Sequence, residues 1–109
     1  MDYNNPRFQP TVQRSIDILK DELKENLQSI YIFGSLARGD GKLSSDVDLL
    51  VSLHEPITRK QRFKLYDLIC EEEGFVKVDL RFMVNNKLET YSKVFNEVVQ
   101  REKVLLYGE

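Results

Sequence analysis

Stretches with the 3.6-residue period of an amphipathic helix alternate along this chain with short β-branched and aromatic runs, and that alternation points to helices packed on a small sheet. Val12, Ile16, Leu19, Leu23 and Leu27 recur at helical spacing, while Arg14, Asp17, Lys20, Asp21 and Lys24 fill the opposite face. They predict a first amphipathic helix after a polar start that contains Pro6 and Pro10. Ile30-Tyr31-Ile32-Phe33 reads as a buried strand stopped by Gly34, followed by a short helical turn over 36–38 and a loop at Gly39-Asp40-Gly41. A second strand is expected over 47–53. Pro56 breaks it, Thr58 offers an N-cap, and Phe63, Tyr66, Leu68 and Ile69 predict a second long helix ending near Gly74. Residues 75–83 alternate well enough for a third strand. A last helix is expected over 88–99, with Tyr91, Val94, Phe95 and Val98 as its apolar stripe, before the apolar run Val104-Leu105-Leu106-Tyr107.

No repeat, low-complexity tract or linker interrupts this pattern, so residues 1–109 read as one domain. With 41% hydrophobic residues it can bury a single core and is too short for a second. A formal net charge of -2 argues against coating nucleic acid, which needs a basic footprint, so nucleic acid is not expected as the main partner. One cysteine, Cys70, excludes an internal disulfide framework. The absence of a leader or a long apolar span in this sequence gives an expectation of a cytoplasmic protein with no membrane association. Cys70 is expected to be a small buried apolar residue rather than a nucleophile, since the only histidine, His54, has no sequence reason to serve it. Tyr31, Phe33, Phe82 and Tyr91 read as core aromatics rather than base-stacking platforms, and Arg59, Lys60, Arg62 and Lys64 as a solvated helix face in preference to a contact surface for an acidic partner.

Chemistry concentrates in residues 30–52. Gly34 and Ser35 end an apolar run where a strand gives way to a helix, so backbone N–H groups and the Ser hydroxyl can converge on phosphate. Asp46 and Asp48 follow on a predicted strand, two apart, and side chains two apart on a strand project from one face. Two such carboxylates repel each other. A divalent cation relieves the repulsion, and oxygen ligands of this kind suit magnesium. Asp79 lies in a second apolar run, Val76-Lys77-Val78-Asp79-Leu80, where a charge is costly unless paired or metal-bound. If the two strands are neighbours, Asp79 completes a carboxylate triad suited to two-metal phosphoryl or nucleotidyl transfer. A Gly-Ser pair or an Asp-x-Asp alone is usually a turn or a solvated edge. Their conjunction, with Leu49-Leu50-Val51 burying the strand, is what points to a site.

Gly34-Ser35, ten intervening residues and Asp46-Val47-Asp48 resemble the signature of the DNA polymerase beta-like nucleotidyltransferase superfamily. The run Gly34-Ser35-Leu36-Ala37-Arg38-Gly39-Asp40 and the terminal NEVVQREKVLLY are similar to its minimal single-domain members, which resemble the catalytic domain of kanamycin nucleotidyltransferases without the helical second domain. That resemblance implies an α+β, two-layer fold: a small mixed sheet with helices packed mainly on one face. It implies a magnesium-dependent nucleotidyltransferase that moves AMP from ATP to a tyrosine hydroxyl of a HEPN-family toxin or another protein acceptor, as the antitoxin of a toxin-antitoxin pair. By the same resemblance Asp46 and Asp48 bind both magnesium ions, Asp79 is the third ligand beside the attacking hydroxyl, and Gly34 and Ser35 hold the β- and γ-phosphates. Arg38, one helical turn beyond Ser35, would pair with a phosphate oxygen. Asp40 matches the family run without an evident task. Two alternatives stand beside this reading: a small hydroxyl acceptor such as an aminoglycoside, and a binding module that neutralises a toxin by occlusion. The missing second domain leads to an expectation of a partner chain or self-association.

Overall fold

The computed structural model describes residues 1–70, 76–88 and 92–108. Helix α1, Gln9–Leu23, carries Pro10, whose missing N–H is no loss in a first turn, and buries Val12, Leu19 and Leu23. A single 3-10 turn at Lys24–Asn26 then reverses the chain into strand β1, Leu27–Phe33. Leu27 therefore belongs to the strand, although its spacing also continues the helical stripe. After the one-turn helix α2, Ser35–Arg38, come strand β2, Val47–Leu53, and helix α3, Arg59–Cys70. Thr58 caps α3: its Oγ1 accepts from Gln61 N–H at 3.1 Å while its own N–H donates to Gln61 Oε1 at 2.9 Å, a reciprocal box that satisfies two end donors. Strand β3, Val78–Val84, helix α4, Lys93–Glu102, and strand β4, Val104–Gly108, complete the order.

The four strands lie in the order β3-β2-β1-β4. β1 pairs antiparallel with β2 and β4, and β2 pairs parallel with β3. A parallel neighbour needs a long crossover, and α3 is that crossover. The fold is α+β with a small mixed sheet, as expected. Helices α1 and α3 cover one face over Ile30, Ile32, Leu49, Val51 and Leu80, whereas Tyr31, Phe33, Leu50 and Met83 point to the other face, where Val99 and Phe95 of α4 meet them. No helix among the described residues is long and apolar enough to cross a membrane.

Several expectations need correction. Phe63 and Leu68 are exposed at 59% and 38%, whereas Ile69 is buried and Tyr66 packs against the core as expected, and Leu65 joins them. Val94 is 72% exposed, and α4 begins at Lys93 on an N-cap from Ser92, which accepts from Phe95 N–H at 3.2 Å. Leu88 is buried, but ahead of that helix. Cys70 is exposed rather than buried, with its Sγ donating to the Val78 carbonyl at 3.2 Å. Partial desolvation of the sulfur, and then the charge of Asp79, push its thiol above the ordinary value, so it is a poor nucleophile near neutral pH. Tyr31, Phe33 and Phe82 are buried, and Arg59, Lys60, Arg62 and Lys64 are exposed. Gly74, Phe75 and Tyr91 lie outside the described residues.

Candidate active site

Register brings the acidic residues to one end of the sheet. Asp48 is the second residue of β2 and Asp79 the second of β3, and the parallel ladder sets them directly side by side. On the other flank Asp48 pairs with Phe33, the last residue of β1, so Gly34 follows immediately beyond. Gly34, Asp48 and Asp79 thus stand in a row across three neighbouring strands. Alternation puts Asp48 and Asp79 on the α4 face, with Asp46 just ahead of β2.

The chain bends sharply to make this row. Gly34 has φ +80° and ψ -159°, a backbone region open essentially to glycine, and a side chain there would run into the Asp48 carboxylate. The Gly34 carbonyl accepts from Ala37 and Arg38 N–H, both at 3.1 Å, which closes α2. Ser35 Oγ donates to Ser45 Oγ at 3.1 Å, and Ser45 Oγ accepts from Lys42 N–H at 2.8 Å, so the loop ahead of Asp46 is fastened to the Gly-Ser turn.

The electrostatics are those of crowded anions. Asp48 is pushed up to about 6, first by burial, then by the charges of Asp79 and Asp46, with Arg81 and Arg38 opposing. Asp79 accepts from Arg81 Nε at 3.4 Å. Arg38 is engaged: its Nε donates to Asp40 at 3.2 Å and its Nη1 to Glu102 at 3.0 Å, contacts that hold its guanidinium above its ordinary value, Asp40 foremost. Asp40 thereby acquires a task, pairing with Arg38. Among the described residues no three Asp, Glu, His or Cys side chains form a ready-made metal cage. The donor set nevertheless suits a hard cation: carboxylate oxygens on one face, mutually repelling enough to raise Asp48. Three residues near this site carry no mark in the motif itself: Ser45, Arg81 and Glu102. Arg81 sits two residues after Asp79 and shares its face by strand alternation, a readable signal; Ser45 and Glu102 are brought in by tertiary structure alone.

The raised Asp48 has a consequence for stability. Its folded value lies above its ordinary 3.8, so the native state keeps this proton longer than the unfolded chain does. This contribution favours folding at low pH and is lost as pH rises from about 4 through about 6, by about 1–2 kcal/mol after allowing for partial solvent exposure. Urea unfolding between pH 4 and 7.5 is expected to show the Asp48→Asn protein gaining on the unsubstituted protein across that window, then holding its advantage. A difference independent of pH contradicts this electrostatic account.

Residues 13–109 match the family described as Polymerase beta, Nucleotidyltransferase. A Methanocaldococcus jannaschii protein, provisionally named a protein adenylyltransferase, is 46% identical over 63 residues, covering 56% of this chain and 72% of the relative. Among solved structures, a chain of a toxin-antitoxin crystallised with AMP-PNP aligns with a TM-score of 0.65 and 26% identity, over 87% of this chain and 72% of the other. A chain from the tri-AMPylated Shewanella oneidensis HEPN toxin in complex with MNT antitoxin gives a TM-score of 0.65 and 25% identity, over 93% and 72%. With the family matched over most of its length and the Gly-Ser turn and paired aspartates set at one end of the sheet, the chain belongs to the polymerase beta nucleotidyltransferase family and is a nucleotidyltransferase.

Proposed function

We propose that this protein transfers AMP from ATP to a tyrosine hydroxyl of a partner protein, with a HEPN-family toxin as acceptor, and that it serves as the antitoxin of such a pair. The observation that supports this most directly is the row Gly34, Asp48, Asp79 across β1, β2 and β3. In this reading Gly34 marks the phosphate end of the row and Asp79 the acceptor end. The likeness to toxin-antitoxin structures, one with an ATP analogue and one with an AMPylated toxin, supports the substrate and the partner class.

In this reading the backbone of Gly34 and the hydroxyl of Ser35 receive the β- and γ-phosphates, which a bulkier residue would obstruct. Arg38 exchanges its exposed contacts with Asp40 and Glu102 for a phosphate oxygen. Asp46 and Asp48 would hold two magnesium ions, with Asp79 completing the set. Bound there, magnesium supplies charge neutralisation at the leaving pyrophosphate and a lowered pKa at the acceptor hydroxyl. The acceptor oxygen forms its bond to the α-phosphorus in line as the bond to the pyrophosphate breaks, and Asp79 assists removal of the hydroxyl proton. Placement and charge account for the rate rather than a strong general base. The chain works as one domain in the cytoplasm, with the partner protein closing the site.

The test is incubation with magnesium and ATP labelled in its α-phosphate, in host-cell extract, with identification of whatever gains the label. Label on a tyrosine of one protein, lost in excess chelator, is expected. Label on a small molecule, or transfer that persists in chelator, overturns the reading.

A further inference from the structure

Outward of Asp79 the sheet ends, since β3 is an edge strand among the described residues. A groove of about 690 Å³ follows that edge, walled by α3, by β3 and by the turn beyond it. Arg62, Arg81 and Lys87 line it, and among the described residues no acidic side chain does. In a chain whose net charge is -2, the exposed Arg62 and Lys87 make a local positive field along the groove. Arg62 is set on the α3 side, 5.7 Å from the Phe82 ring centre, while the Arg81 guanidinium, paired with Asp79, lies on the α4 side, 4.9 Å from that of Phe95.

The edge itself is partly closed to strand addition. The Val78 carbonyl already accepts from Cys70 Sγ, and the Leu80 carbonyl from Tyr66 Oη at 2.8 Å. An occupant would be held by charge rather than by a backbone ladder. Arg81 joins groove to site, because it lines the groove while its Nε reaches Asp79 Oδ2 at 3.4 Å. The strand order then sets a direction: Gly34 at β1, Asp48 at β2, Asp79 at β3, and the cationic groove outside β3.

We propose that this groove docks an acidic segment of the acceptor protein and so delivers the acceptor hydroxyl to the Asp79 side of the site. The inference rests on the protein-acceptor reading above. Charge complementarity selects the occupant: the exposed cations Arg62 and Lys87 match a short acidic peptide, whereas a nucleic acid would draw on a broader basic footprint.

A fluorescein-labelled random copolymer of glutamate and tyrosine tests it, by fluorescence anisotropy without ATP or magnesium. A lysine-tyrosine copolymer and poly(U) RNA serve as controls. The acidic copolymer is expected to bind, and Arg62→Glu with Lys87→Glu to weaken it about tenfold. Arg62→Gln with Lys87→Gln, which leaves less to disturb in folding, should weaken it about threefold. Both positions are exposed, and a circular dichroism spectrum checks each variant's fold. A separate titration with ATP and magnesium should be unchanged. The proposal is overturned if the unsubstituted protein fails to bind the acidic copolymer, if both variants bind it equally well, if either control binds as tightly, or if ATP affinity falls in parallel. Because docking is read without nucleotide, a chain that docks the copolymer yet transfers no AMP contradicts the proposed function alone.

Discussion

Replacing Asp46 and Asp48 together by Asn is expected to lower AMP transfer by at least about 10³-fold while the chain stays folded. Each substitution keeps the shape and removes the negative charge that a hard cation needs. Metal-assisted charge stabilisation is worth several kcal/mol in such reactions, and about 4 kcal/mol corresponds to three decades of rate. Stability moves the other way, since Asp48 is half-buried among like charges and its ionised form is disfavoured by burial first and by Asp79 and Asp46 next. A variant that is inactive and at least as stable as the parent is therefore the signature of a site kept for chemistry. The measurement is transfer of α-phosphate label to the acceptor, beside neutralisation of that partner in cells. Undiminished neutralisation by the double variant rejects catalysis as the basis of protection and leaves occlusion.

Gly34→Ala is expected to be nearly as damaging by a different route. The backbone at this position, φ +80° with ψ -159°, penalises any side chain by about 1–3 kcal/mol. The added methyl also meets the Asp48 carboxylate and must displace it. A shift of about 1 Å at a reacting centre costs about 10²-fold in rate. Both effects should appear together, as a lower urea midpoint and a loss of transfer of about two decades. Gly39→Ala is the control: it shares a positive φ, +89°, but a methyl there meets nothing within 4 Å, so it should lose about 1 kcal/mol of stability and leave transfer intact. Equal behaviour of the two variants contradicts the role given to the Gly34 turn.

Much of the site's scaffold is readable in the chain because its signals are local. β2 spans Val47–Leu53, where an unbroken apolar run flanks an aspartate, and β1 ends at Phe33, where Gly34 alone tolerates the turn. Asp79 was readable as an anomaly, a charge inside a buried run, and the in-register pairing with Asp48 resolves it. What escaped reading depends on distant partners. Arg38 contacts Glu102, which nothing in its own neighbourhood announces. Val104–Gly108 has no polar alternation to mark it as a strand, and it becomes one by pairing with β1. In α3 Phe63 and Leu68 looked as apolar as Ile69, and only the packing of the crossover on the sheet leaves the first two exposed and buries Leu65 beside Ile69. The exposure of Cys70 follows from its place at the last turn of that helix, at the edge of the sheet rather than over its centre.

The pairing of β1 with β4 also shapes how the molecule comes into being. A chain made from its amino end produces β1 early, finds β2 soon afterwards, and then has one flank of its central ribbon bare until residues 104–108 leave the ribosome. During that interval the uncovered flank, bearing Ile30 and Ile32, invites pairing with a neighbouring nascent copy. Strand β4 thus acts as a latch, and deleting it would harm yield and solubility before it touched the chemistry.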